Sequence, residues 1–170
     1  MSHPDRLART RQAFLEHTEV DMAYSTFLVV DEHGEQVPLD RLTPSVAEIL
    51  ESHRRPVQGE DAWIRIGTEV GYTSLTSTVA VRTSLVTRYP FPVGRGSEDA
   101  HTWLRMSAGG GALAYLPDIP SRYRIPQHKA GSSDRSRPGS RYYQRKAEVD
   151  TDGFLRAVAI ALGRGRIDAA

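Results

Sequence analysis

The adjacent carboxylates Glu98 and Asp99 are the residues of this chain best suited by position to acid–base chemistry. They open the stretch Ser-Glu-Asp-Ala-His-Thr-Trp-Leu-Arg, residues 97–105, behind the loop Gly94-Arg95-Gly96. The dipole and free N–H groups of a helix start hold a carboxylate ionised. An ionised carboxylate at a loop–helix junction can then take a proton from a substrate hydroxyl. The same residues also make an ordinary helix start, with Ser97 as N-cap and Glu98 and Asp99 complementing the dipole. Further along, Arg122 and Arg124 flank Tyr123. Alternating guanidinium groups can grip a diphosphate bidentately, or simply decorate a solvated strand edge. Glu98 and His101, three residues apart, share a helix face as metal-ligating pairs do, but the other ligands such a site needs are missing.

These groups need elements to position them. Pro4 to His17 reads as a helix, with Pro4 in the first turn and Leu7, Ala8, Phe14 and Leu15 at helical spacing. Met22 to Val30 reads as a buried strand, followed by a turn at Asp31-Glu32-His33-Gly34. Thr43-Pro44 starts a second helix that runs to His53. Residues 54–70 fit no one pattern. Ser74 to Val81 alternates like a strand, and a short helix follows before Pro90. Glu98 to Ala108 is a helix stopped by Gly109-Gly110-Gly111. Ala112 to Leu116 is a strand, and Asp118 to Ile125 an irregular extended piece. Residues 127–140 are polar, basic and rich in Gly, Ser and Pro, and read as a mobile loop. Arg141 to Arg164 reads as a terminal helix or as a helix pair divided at Gly153. The sum is an α/β fold with about three strands flanked by helices and a helical C-terminus, in one domain over 1–170.

Bulk composition narrows the classes. A net charge of +1 argues against a general nucleic-acid binder. With no cysteine there is no disulfide and no thiolate metal site. No apolar run approaches the roughly 20 residues a membrane span needs. No secretory leader is visible, so a cytoplasmic location is compatible. Walker, Rossmann and nucleophile-elbow motifs are absent. The Arg- and Ala-rich usage suggests a bacterial, GC-rich genome.

Several segments, in order, resemble a known family. His3-Pro4-Asp5-Arg6-Leu7-Ala8-Arg9 is similar to the helix start that follows the metal-binding Asp-x-Asp motif of family 2 glycosyltransferases, enzymes of the GT-A fold. Val20 to Ser25 and Val29 to Gly34 resemble that family's next strand and hairpin turn. Thr76 to Arg82 resembles the strand beside the acceptor site, Glu98-Asp99 the Glu-Asp motif, and Tyr123-Arg124-Ile125 the segment closing the sugar-nucleotide site. The resemblance spans roughly residues 3–128. It implies transfer of a sugar from a UDP- or GDP-sugar to a sugar or natural-product hydroxyl. Asp99 would be the base, positioned by Glu98, with Arg122, Tyr123 and Arg124 toward the diphosphate. Thr76 and Ser77 could offer hydroxyls to the acceptor, and Trp103, on the Asp99 helix face, could stack on a sugar ring or belong to the core. The family's histidine near metal and diphosphate falls at Pro126 here, which leaves His128 as a displaced candidate ligand. The basic stretch Lys129 to Lys146 could act as a lid or be a solvated loop.

The resemblance stops short of the family's nucleotide-binding half. Neither a Rossmann-like N-terminal half nor an Asp-x-Asp for a Mg or Mn ion is present. The chain therefore reads as the acceptor-side half, with the donor-side half expected from a preceding segment, a partner or a second copy. The alternative reading is a non-catalytic sugar-, nucleotide- or partner-binding module.

Overall fold

The computed structural model describes residues 4–93, 98–125 and 141–168. The expectations placed on Gly94–Ser97, on the loop 127–140 and on His128 lie outside these residues. The chain is a mixed α/β protein. Its elements are α1 (Arg6–Glu16), β1 (Val20–Val30), α2 (Pro44–Ser52), α3 (Ala62–Arg65), β2 (Val79–Val81), α4 (Thr83–Arg88), α5 (Glu98–Gly109), β3 (Ala112–Arg124) and α6 (Tyr142–Gly163). No described helix is long and apolar enough to cross a membrane.

The β-branched and aromatic run of β1 becomes the central strand of a three-stranded sheet ordered β2-β1-β3. A strand buried on both faces reads as a near-continuous apolar run, and β1 buries eight of its eleven residues. β2 pairs with it antiparallel, Tyr24 opposite Val79. β3 pairs with it parallel, from Val20 opposite Ala112 to Val30 opposite Arg124. β3 is longer than the sequence predicts. Pro117 and Pro120 suggest that pairing ends at Leu116; instead the register slips between Ser25 and Phe27 of β1, the prolines fall in the irregularity, and pairing resumes at Ser121. Residues 118–125 are thus largely strand. The expected strand from Ser74 is also revised: Thr76–Thr78 is a 3₁₀ turn, and only Val79–Val81 pairs.

α6 runs unbroken through Gly153, so the terminal segment is one helix and not a pair. Gly153 is there because α5 passes close by: a Cβ on it would stand 2.8 Å from the His101 Cα. The small residues Ala108, Ala157 and Ala161 pack with Trp63 and Leu104 along this seam. Two further clusters fill the core. One joins Met22, Tyr24 and Leu113 to Trp103 and Met106 of α5, and the other joins Phe27 and Val29 to Val46 and Ile49 of α2. α5 is therefore locked on several sides, which fixes the position of its first turn. Its far end is closed by Arg166, whose Nη1 donates to the carbonyls of Ser107 and Ala108 at 2.9 Å and of Gly110 at 3.2 Å. Its Nη2 donates to the Glu60 carbonyl.

Candidate acid–base site at the start of helix α5

Asp99 stands in the first turn of α5, partly exposed. Its two carboxylate oxygens are engaged separately. Oδ1 accepts the backbone N–H of Ala100 at 2.9 Å, and Oδ2 accepts the Thr76 hydroxyl at 3.0 Å. Thr76 opens the 3₁₀ turn, whose backbone is tied by the Thr78 hydroxyl and N–H donating to the Leu75 carbonyl at 2.7 and 2.8 Å. A short, doubly tied turn is a rigid support, so the Thr76 hydroxyl constrains the Asp99 rotamer. Glu98 contributes its carbonyl to the Thr102 hydroxyl at 2.6 Å. That bond keeps Glu98 inside the helix as the residue preceding Asp99.

The neighbouring Ser77 leads to a third element. Its carbonyl accepts a hydrogen bond from Arg6 of α1, and the same guanidinium donates to the Ser121 hydroxyl at 2.9 Å. Arg9, one turn on, donates to the Asp118 carbonyl at 3.2 Å. Ser121 is 3% exposed, and partial burial holds Arg6 below its ordinary pKa. The result is a polar junction where α1, the 3₁₀ turn, β3 and the start of α5 meet. Ser77 enters it through its backbone, not the hydroxyl the sequence points to. Arg6 and Ser121 were not assigned a role from the sequence. Arg6 lies within the family-like segment His3–Arg9, but nothing local marks a partner 115 residues away.

The other expected residues fall in different settings. Tyr123 is half-buried and presents an edge to Phe27, with centroids 6.1 Å apart, so its ring belongs to the second core cluster. Arg122 and Arg124 are exposed and, by strand alternation, leave β3 on the face opposite Ser121 and Tyr123. Trp103 is 8% exposed, meets Phe91 edge-on at 5.4 Å and has no partner for its Nε1 among the described residues. Trp103 packs in the first core cluster, in keeping with the core alternative. His101 turns away from Glu98 toward α6, where its Nε2 meets Asp152 Oδ2 at 2.8 Å; Asp152 also holds Arg156 Nε at 2.7 Å. Those two partners hold Asp152 below the ordinary carboxylate range. The Glu98–His101 metal pair is thereby set aside. Among the described residues no three His, Asp or Glu side chains converge as a metal site would require.

The arrangement presents a partly exposed carboxylate in the first turn of a helix, oriented by one backbone N–H and one hydroxyl. A carboxylate placed in this way has the chemistry of a general base. Comparison with known proteins returns no matching family model, no matching curated protein and no matching solved structure.

Proposed function

We propose that this chain is the acceptor-side part of a family 2-like glycosyltransferase, with Asp99 as general base. The observation that carries the reading is the Thr76–Asp99 hydrogen bond at 3.0 Å, which orients a partly exposed carboxylate at a helix start. The family-like segments His3–Arg9, Thr76–Arg82 and Glu98-Asp99 supply three of the four elements at that junction. In the reaction, the acceptor hydroxyl loses its proton to Asp99 as its oxygen bonds to the anomeric carbon. The bond to the nucleoside diphosphate breaks, and the diphosphate leaves with the electron pair. Base catalysis of this kind contributes about 10²- to 10⁴-fold.

Arg122 and Arg124 leave β3 on the face away from this junction, so the reading gives the diphosphate to other groups. The UDP- or GDP-sugar and any Mg or Mn ion are held mainly by a donor-side segment or partner chain. No step is routed through the metal, since the described residues offer it no ligand set. Cytoplasmic placement accords with a nucleotide-sugar donor.

The test is sugar transfer by the protein isolated from its own cells with whatever chain accompanies it, using a panel of UDP- and GDP-sugars. Turnover that falls steeply in Asp99→Asn with folding intact supports the reading. Turnover unchanged in that variant removes Asp99 from the mechanism. Binding of nucleotide-sugar with no transfer to any acceptor favours the non-catalytic module instead.

A further inference from the structure

At the opposite end of α5 lies a hollow of about 540 Å³. Its walls are the Gly109–Gly111 turn, the approach to β1 at Thr18–Asp21, Ser84 and Arg88 of α4, Glu60, and Arg164 and Arg166 after α6. The turn is drawn tight against its surroundings: a Cβ on Gly111 would stand 2.1 Å from the Glu19 carbonyl oxygen. Two of the charged groups are already committed to holding this wall. Asp21 accepts the Gly111 N–H at 2.8 Å and pairs with Arg82 at 3.1 Å, and Arg166 is spent on four backbone carbonyls.

Four charged groups remain. Among the described residues the guanidinium groups of Arg88 and Arg164 make no hydrogen bond or ion pair, and neither does the Glu60 carboxylate. Glu19 has only a loose contact with His17 at 3.5 Å. Opposite charges around one hollow ordinarily pair with each other. Here they stand on four different segments (before β1, before α3, on α4 and after α6) and do not meet. A hollow lined by unspent charges of both signs is complementary to a ligand carrying both signs. A plain anion would gain at Arg88 and Arg164 but face Glu19 and Glu60.

We propose that this hollow binds a small phosphorylated amine, its phosphate on Arg88 and Arg164 and its ammonium toward Glu19 and Glu60. Guanidinium forks suit a phosphate bidentately. The hydroxyls of Ser84 and Thr18 are at hand for a sugar ring, and the volume admits a molecule of hexose size. The site is separate from Asp99 and does not depend on the glycosyltransferase reading.

The probes are glucosamine 6-phosphate, glucose 6-phosphate and inorganic phosphate, titrated calorimetrically into the full chain at low salt and neutral pH. Glucosamine 6-phosphate is expected to bind about tenfold tighter than glucose 6-phosphate, the worth of one charge-assisted contact. The double variant Arg88→Ala, Arg164→Ala is expected to lose at least about tenfold of that affinity, and Glu19→Gln, Glu60→Gln to erase the preference for the amine. These side chains are exposed, so a thermal melt matching the parent certifies that the variants fold. Equal binding of the two sugar phosphates overturns the proposal. So does binding unchanged in the arginine variant, or no binding of glucosamine 6-phosphate at about 5 mM.

Discussion

Removing Arg166 tests how α5 is held at the end remote from Asp99. In Arg166→Ala the carbonyls of Ser107, Ala108, Gly110 and Glu60 lose a shared cationic donor. The last carbonyls of a helix have no partner within it, so an outside donor satisfies groups that would otherwise depend on water. A hydrogen bond to a charged group is worth about 1.5–3 kcal/mol net, and a cation at a helix C-terminus about 0.3–1. The contributions do not simply add. One Nη1 serves three carbonyls, and the guanidinium is half-exposed, so water can replace part of it. The expected loss is about 2–3 kcal/mol. For a chain of this length that lowers Tm by about 4–12 °C. Urea titration with linear extrapolation reads the change directly. Arg166→Lys should recover less than half of it, because an ammonium cannot fork across carbonyls on two segments. A loss below about 0.5 kcal/mol in Arg166→Ala would refute the capping role.

Gly153→Ala should cost about 1–3 kcal/mol, because the new Cβ lies 2.8 Å from the His101 Cα and α5 and α6 must part; Gly163→Ala, which meets nothing within 4 Å, should be neutral or stabilising. His53 donates from Nε2 to the Thr73 carbonyl at 2.7 Å and its Nδ1 stands 3.2 Å from the Thr26 hydroxyl, and burial holds its pKa below the ordinary 6.5. The unfolded chain then binds the proton first as pH falls, so stability should be full above pH 6.5 and decline below it, and His53→Gln should flatten that decline in urea titrations across the range. Thr76→Val should lower sugar transfer about tenfold with KM little changed, since it frees the Asp99 rotamer without touching substrate, while Thr76→Ser should retain most of it. Equal activity of Thr76→Val and the parent would show that the hydrogen bond does not position the base.

Local pattern made much of the fold legible. β1, α2 and α5 appear within a residue or two of where the apolar run, the Thr43-Pro44 start and the Gly109–Gly111 stop place them, since those signals act within a few residues. What was hidden depends on distant partners. The continuation of β3 past Pro117 and Pro120 rests on β1 supplying a slipped register, and the unbroken α6 rests on His101 facing Gly153. Trp63, in the stretch that fits no pattern, turns out to be 2% exposed in a short helix against Phe154, a contact 91 residues apart in sequence that no window reveals. At the candidate site, Glu98-Asp99 was visible as a helix start and Thr76 as a hydroxyl on a half-exposed segment. Their meeting was not, nor was the convergence of Arg6 and Ser121 beside them. Trp103 shared Asp99's helix face in the sequence, but that face is mostly core by its second turn, and the ring went inward.

The most direct test of the central claim is the rate of sugar transfer in Asp99→Asn, measured on the protein as isolated from its own cells with its accompanying chain. The amide keeps the shape and the Thr76 contact but cannot take a proton. Turnover should fall by about 10²- to 10⁴-fold with the thermal melt and nucleotide-sugar affinity preserved. Turnover within about threefold of the parent would contradict the assignment of Asp99 as the base.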